Sequence, residues 1–495
     1  MNIATLLEMS AEGFGDRTAY GSAVDGLSFR GLLDLATQAS RKFAAESVSH
    51  VALVDENSPA VPVTLFGAAL AGVPYSPINY RLAEDAIAAL LARLDRTALV
   101  AGAGYGQLSA GAGPVIAAAD LLVTSADPDE LLIVPGDSDD VAVRLFTSGT
   151  TGVPKAAVLR HRNLSSYVLA TVEFGGAGED EAALVSVPPY HVAGVASVLS
   201  AVYAGRRVVQ LPNFTAESWI SAVMSEQITH AMVVPTMLTR IVDLLTRDKV
   251  ALPSLRHLSY GGGRMPVPVI EQAMRLLPDV SFVNAYGLTE TSSTIALLGP
   301  DDHREAFGST DSRIRRRLGS VGRPIGDIEI DIRDPEGNCV APEVSGEVWV
   351  RGAQVAGEYS GVDPRVSDGG WFPTNDGGYL DSDGYLFLEG RLDDVIVRGG
   401  ENMSPGEIED VLLEHAAISD AAVIGAPDAE WGEKVVAFVI SNSSSLGADD
   451  VRQWVKSRLR SSRTPHDVHF VGELPYSDTG KLLRRELRRR LSEST

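Results

Sequence analysis

At 495 residues the chain is too long for one ordinary hydrophobic core, so two or three domains are expected. A hydrophobic share of 45% beside 22% charged residues is that of a soluble globular protein, and a net charge of −23 excludes nucleic acid and anionic membrane as bulk partners. The single cysteine, Cys339, excludes an internal disulfide and fits a reducing compartment.

The opening stretch, MNIATLLEMSAEGFGD, lacks the basic start and apolar run of a signal peptide, so a cytoplasmic location is expected. Two long uncharged stretches, residues 57–80 and 182–205, are broken by Pro59, Pro62, Pro74 and Pro77 and by Pro188 and Pro189. They fit buried helix–strand segments rather than membrane spans. Through roughly the first 390 residues, β-branched apolar runs alternate with helical periodicity. Strands are predicted at 50–54, 98–101, 133–134, 207–211 and 231–234, and helices at 84–94 and 216–225. This alternation predicts an α/β fold with a largely parallel sheet. From about residue 320 the texture changes to short strands and turns, with a hairpin loop at 334–338. From Asp393 onward a helix (405–415), strands (421–424, 435–441) and a second helix (448–460) predict a small α+β domain. The basic tail RRELRRRL reads as a solvated amphipathic helix.

Residues 145–164 read LFTSGTTGVPKAAVLRHRNL. Thr147, Ser148, Thr150 and Thr151 crowd around Gly149 and Gly152, and Lys155 lies just beyond. Only six of the 42 basic residues are lysine, so a lysine in a glycine-rich loop stands out. Amides and hydroxyls in such a loop cradle phosphate. The loop is not a Walker motif, because Lys155 falls three residues after Gly152 and is followed by Ala156. The plainer alternative is a turn before a helix with Ser and Thr as caps. No H-E-x-x-H, C-x-x-C pair or G-x-S-x-G occurs elsewhere.

The loop resembles the phosphate-binding signature of the adenylate-forming superfamily, which includes acyl-CoA synthetases, peptide-synthetase adenylation domains and luciferases. Ala156 stands where many members carry glycine. Further resemblances follow in order: LSFRGLLDLA (27–36), GVPYSPINYRL (72–82), PPYHVAG (188–194), NAYGLTET (284–291), WFPTNDGGYLDSDGYLFLEGRLDDVI (371–396), RGGENMSPGEIE (398–409) and YSDTGKLLRREL (476–487). Together they span nearly the whole chain, and the wording is nearest that of aryl-CoA ligases.

The resemblance implies an N-terminal adenylation domain, residues 1–392, of stacked α/β sheets with a small β-barrel-like subdomain. Residues 393–495 would form a mobile C-terminal domain. It implies ATP and Mg²⁺ as cofactors and a small carboxylic acid as substrate. The loop from Thr147 through Lys155 would hold the β- and γ-phosphates, and Glu290 would bind the Mg²⁺. Tyr286 would lie near adenine, with Gly262, Gly263, Asn284, Ala285 and Gly287 beside it, and Thr289 would contact the α-phosphate. Asp376 would take the ribose hydroxyls with Arg391 nearby, while Asn375 replaces a common glycine and would shift that turn. His191, Val192, Ala193, Gly261, Gly262, Gly263, Gly287 and the segment 232–235 would form the acid pocket, with His191 a pocket wall or a general base. Lys481 would be the catalytic cation, bridging carboxylate and phosphate. Asp393 would be the hinge about which Lys481 swings out and Gly399, Gly400 and Glu401 swing in.

The acceptor implied by resemblance is coenzyme A, supported by Gly399-Gly400 and by Trp431 as a stacking aromatic. Against it, the loop Ser461-Ser462-Arg463-Thr464-Pro465-His466 lacks the aromatic and the run of basic residues that many CoA ligases carry. An amine acceptor giving an amide, a carrier-protein thiol, and a non-catalytic nucleotide-binding role stay open, as does the oligomeric state.

Overall fold

Parallel strands require crossover connections, and the helices between the strands of the first 300 residues supply them. The computed structural model describes residues 1–108, 113–123, 136–147, 155–362, 365–367, 369–399, 401–477 and 482–493. Among these residues the strands gather into four sheets.

The largest sheet has its parallel centre in Arg207–Gln210, Ala182–Val185, His230–Val233, His257–Gly261 and Ser281–Leu288. Register places Val233 beside Tyr260 and Tyr260 beside Asn284, so these strands finish along one edge. Ser293–Leu298 then turns back antiparallel. The second sheet holds His50–Val54, Tyr75–Pro77 and Thr97–Ala101 in parallel, with Val141–Thr147 and Lys155–Arg160 as an antiparallel hairpin at one side. The helix Ala60–Leu70 is buried along its whole length, as is the strand Tyr75–Pro77, which explains the first uncharged stretch. The second forms the strand Ala182–Val185 and the helix Val192–Tyr203. Among the described residues no helix is long and apolar enough to cross a membrane.

A four-stranded antiparallel sheet, Glu329–Arg333, Gly346–Arg351, Phe372–Leu380 and Leu386–Arg391, follows. Its apolar face joins Val348, Val350, Phe372 and Leu386 to Tyr286, Ile295 and Ala296 of the first sheet. The turn Leu392–Asp394 leads to the last sheet, built on the long pair Ile418–Asp428 and Gly432–Ser441. That pair outruns the predicted strands because an antiparallel partner also fixes the polar ends ISD and GEK. The predicted helix at 84–94 ends at Leu91, and the one at 448–460 ends at Lys456. The predicted hairpin loop is present: Asp334 accepts from the Asn338 amide at 2.8 Å, and Arg333 bridges to Cys339. The predicted strand at 133–134 lies outside the described residues.

Two buried histidines make this architecture sensitive to acid. His303 Nδ1 lies 2.8 Å from the Gly299 carbonyl and so donates to it, leaving Nε2 to accept from the Tyr260 hydroxyl at 2.8 Å. His161 Nδ1 accepts the Ile3 amide at 3.2 Å. Burial lowers both to about 4, so both stay neutral when folded. Released on unfolding they protonate below about pH 6.5, so stability falls as pH drops from there towards 4, by up to about 1.4 kcal/mol per pH unit for each. Urea midpoints between pH 7 and 5 should therefore decline less steeply in His303→Gln than in the wild type. Parallel declines would contradict this assignment.

Candidate active site

The strand Ser281–Leu288 delivers the motif NAYGLTET to the common edge of the first sheet and stops in the single turn Thr289–Thr291. Thr291 closes that turn by accepting the Leu288 amide through its hydroxyl at 2.9 Å. Two glycines are dictated by strand spacing alone. A Cβ on Gly261 would lie 2.2 Å from the Ala285 carbonyl oxygen, and one on Gly287 only 1.8 Å from that of Ser293. Gly262 and Gly263 follow at an exposed turn, with Gly262 at φ +82°. Asn284 is buried and donates to the Ser320 carbonyl at 2.9 Å, and Ala285 pairs with Gly261 in the ladder. The strand end Ala182–Val185 leads to Pro188 and Pro189, after which His191 caps the helix Val192–Tyr203. His191 Nδ1 accepts the Ala193 amide at 3.3 Å, which holds its ring at the helix start.

The most completely organised group is Asp376. It faces Arg391 across the ladder of the third sheet and is buried. Its Oδ2 accepts the Tyr286 hydroxyl at 2.6 Å and its Oδ1 accepts Arg391 Nη1 at 3.1 Å. Arg391 also donates to the Thr374 carbonyl at 3.0 Å, and Thr374 Oγ1 accepts the Asp376 amide at 3.1 Å. Burial, reinforced by Asp376, holds the Tyr286 hydroxyl far above the usual phenol range and therefore protonated. Burial opposes the charge on Arg391, but Asp376 more than offsets it and its ionisation is raised. This framework fixes the orientation of the carboxylate.

A second convergence joins the two large sheets. The hairpin register sets Thr147 opposite Lys155, and the Thr147 hydroxyl donates to the Lys155 carbonyl at 3.3 Å. A strand follows the loop where a helix start was one alternative. Residues Ser148, Gly149, Thr150, Thr151 and Gly152 lie outside the described residues, as do Gly400 and Lys481. Glu358–Tyr359 pairs with Lys155–Arg160, fastened by a bidentate Arg160–Glu358 ion pair at 2.9 and 3.0 Å. This carries Tyr359 to the site. Its hydroxyl donates to Glu290 Oε1, and Lys155 Nζ lies 5.7 Å from its ring centroid. The cation of the phosphate-type loop and the carboxylate of NAYGLTET thus meet on one aromatic. Among the described residues no group of three or more His, Cys, Asp or Glu side chains could hold a metal by itself. A single carboxylate suits Mg²⁺, which keeps waters and takes most of its ligands from phosphates.

Asn375 explains itself in the structure. It adopts φ +62°, a left-handed conformation that asparagine tolerates, so it can replace glycine without displacing the turn. Its side-chain amide donates to Asp393 Oδ2 at 2.7 Å, tying this turn to Leu392–Asp394. Tyr359 and the Asn375–Asp393 contact were not legible beforehand, since a lone tyrosine in GEYSG carries no pattern.

These groups gather at the carboxyl edge of an α/β sheet, and comparison with known proteins identifies the family of the chain. The model for AMP-binding enzymes matches residues 7–360, and that for the AMP-binding enzyme C-terminal domain matches 407–481. The chain belongs to the AMP-binding enzymes. It is 32% identical over 449 residues to a feruloyl-CoA synthase from Amycolatopsis, covering 89% of this chain and 88% of the relative. Among solved structures it is similar to o-succinylbenzoate CoA synthetase from Bacillus subtilis in complex with its acyl-adenylate intermediate, at 26% identity and TM-score 0.85, covering 98% of this chain and 97% of that one. The same synthetase has been solved with ATP and a magnesium ion. It is equally similar to an amide bond synthetase from Marinactinospora thermotolerans, at 26% identity and TM-score 0.86, covering 99% of both chains.

Removing the charge of Asp376 tests whether its carboxylate takes part in nucleotide binding. Asp376→Asn should weaken ATP roughly ten- to hundredfold by calorimetry, the worth of hydrogen bonds to a charged group. Unchanged ATP affinity in a folded variant would show that the carboxylate serves only Arg391 and Tyr286.

Proposed function

We propose that the protein activates a carboxylic acid with ATP, forming an acyl-adenylate and pyrophosphate, and then passes the acyl group to an acceptor. In the first step a carboxylate oxygen bonds to the α-phosphorus while its bond to the β-phosphate bridging oxygen breaks, and pyrophosphate departs. In the second a nucleophile attacks the acyl carbon, and AMP leaves with the electrons of the acyl–oxygen bond. The observation that carries this is the meeting of Lys155 and Glu290 on Tyr359, with Glu290 in the same NAYGLTET segment whose Tyr286 holds Asp376 together with Arg391. Asp376 and Arg391 are assigned to the ribose, Tyr286 to the adenine region, and Thr289 and the loop from Thr147 to Lys155 to the phosphates. Mg²⁺, when bound at Glu290, would neutralise phosphate charge. Lys481 is assigned the bridging cation.

Residues 1–392 are assigned to the adenylation domain and 393–495 to the mobile one. Support comes from the single short turn, Leu392–Asp394, between the third and fourth sheets. We place the hinge at Asp393 and the protein in the cytoplasm, the latter in keeping with a single cysteine, Cys339. The acid is assigned as aromatic or compact. Its surroundings are assigned to the segment 232–235, Gly261–Gly263 and Gly287, with His191, Val192 and Ala193, and feruloyl-CoA and o-succinylbenzoate are named for the relatives.

Coenzyme A is the leading acceptor, with Trp431 46% exposed and stacked by Arg398 at 5.4 Å. One observation favours an amine instead. Arg463, the arginine of the 461–466 loop, is engaged by two carboxylates, Glu401 and, at 2.9 Å, Glu407. It is thus neutralised where CoA phosphates would need a donor.

Acid-dependent exchange of labelled pyrophosphate into ATP, over benzoate-, cinnamate- and fatty-sized acids, tests the first step. Exchange with the aromatic acids is expected, and its absence with every acid would overturn the activity. Preference for palmitate would overturn the pocket assignment. Product mass spectrometry with CoA against an amine panel then decides the acceptor. A thioester supports CoA, while amide formed faster than the free adenylate reacts in buffer would transfer the assignment to the amine.

A further inference from the structure

The described residues on either side of 478–481 are fastened to the C-terminal sheet. Upstream, the Tyr476 hydroxyl donates to Asp420 with its two oxygens at 3.1 and 3.0 Å, and Tyr476 bridges to Leu482. The Leu483 amide closes this segment on the Pro475 carbonyl at 2.8 Å. Downstream, Arg484 opens the helix Arg484–Glu493. Its Nη2 reaches both oxygens of Glu409, at 2.6 and 2.7 Å, and its Nε donates to the Val423 carbonyl at 3.2 Å. Its Nη1 lies 3.5 Å from Asp394, which also receives Arg488 at 3.2 Å from the next turn of the helix.

That is a large polar investment for a small helix. Leu487 is its one fully buried side chain among the described residues, so apolar packing alone sets its rotation and register weakly. A guanidinium whose Nη2, Nε and Nη1 face three separate acceptors, Glu409, the Val423 carbonyl and Asp394, is fixed in direction as well as distance. The side chains involved are withdrawn from water, with Arg484 16% and Glu409 10% exposed. Glu409 is itself set in place by accepting the Val423 amide at 2.8 Å, so helix Pro405–Leu413, strand Ile418–Asp428 and Arg484 meet at one carboxylate. A buried pair of this kind adds little net stability over apolar packing, yet it permits few alternative arrangements. Asp394 extends the same node to the turn in which its neighbour Asp393 is held by Asn375.

We propose that Arg484 and Glu409 are positioning residues for adenylation: their pair sets where the segment bearing Lys481 rests on the C-terminal domain, a role that depends on the adenylation activity proposed above. Neither residue is assigned a contact with the substrates. They act through Lys481, which must be presented to a carboxylate and a phosphate at once, and misplacement by about 1 Å costs on the order of a hundredfold.

Arg484→Lys retains the charge without the fork, and Glu409→Gln retains the shape without the charge, so one variant remains informative if the other fails to fold. Three readouts are compared with wild type and Lys481→Ala. The first is the rate of acid-dependent pyrophosphate exchange with the aromatic acid turned over fastest, together with the KM for ATP. The second is acyl transfer from chemically prepared acyl-adenylate to the acceptor, which bypasses Lys481. The third is hydrogen exchange at the amides of residues 482–486. Expected are a roughly ten- to hundredfold lower exchange rate, an ATP KM within about twofold of wild type and transfer within about threefold. Amide exchange should quicken in 482–486 while the Ile418–Asp428 strand keeps its protection. Either variant combined with Lys481→Ala should lose little beyond Lys481→Ala alone. Equal losses in both half-reactions, or loss of protection across the whole C-terminal sheet, would make the pair a general structural element and overturn the proposal. An active wild type with unchanged variants would overturn it alone, whereas a wild type without exchange on any acid would remove the adenylation activity with it.

Discussion

A carboxylate and a triphosphate repel one another, and two unit charges about 4 Å apart in a partly shielded protein environment oppose each other by about 4 kcal/mol. A chain carrying a net −23 worsens that repulsion at long range. Everything around the site can be understood as local compensation for it. The hairpin brings Lys155, the third sheet brings Arg391, and each is held against an acidic or aromatic partner that fixes its direction. Arrangement before the substrates arrive is what makes such charges effective, because little reorganisation is then left for the reaction itself.

The architecture serves this end by bringing separate sheets to one place. Strand ends of the first sheet supply Tyr286 and Glu290, the second sheet supplies Lys155, and the third supplies Asp376 and Arg391. Tyr286 belongs to two of these assemblies at once, since its ring lies in the core shared with the third sheet and its hydroxyl holds Asp376. Among the described residues, contacts between the C-terminal part and the earlier sheets include Arg264 with Asp410 and the Ser404 hydroxyl on the Glu389 carbonyl, and Asn375 reaches Asp393 in the connecting turn. Polar contacts of this sort are compatible with relative domain motion.

Sequence reading reached the strands of the parallel core because continuous β-branched runs such as HVALV are buried on both faces and leave a plain signature. It singled out the phosphate-type loop from its crowding of glycine, hydroxyl and lysine, and Asp376 from the motif resemblance; Asp376 lies against Tyr286 and Arg391, while Ser148–Gly152 lie outside the described residues. It missed Tyr359, which gains its place from pairing with the hairpin some 200 residues earlier in the chain, a relation no local pattern encodes. Asn375 was legible as a departure from glycine but not as a contact, because its left-handed conformation and its reach to Asp393 exist only once the turn is folded. Strand ends in the C-terminal sheet were misjudged for the same reason, the partner strand deciding what local propensity leaves open.

The central claim is that the acid's own oxygen attacks the α-phosphorus. Single-turnover reaction of ATP with an aromatic acid labelled in both carboxylate oxygens with ¹⁸O, followed by acceptor addition and mass spectrometry of the nucleotide, tests it directly. The account predicts AMP carrying one ¹⁸O atom, with unlabelled pyrophosphate and no ADP. Unlabelled AMP, or ADP with the label in inorganic phosphate, would contradict it.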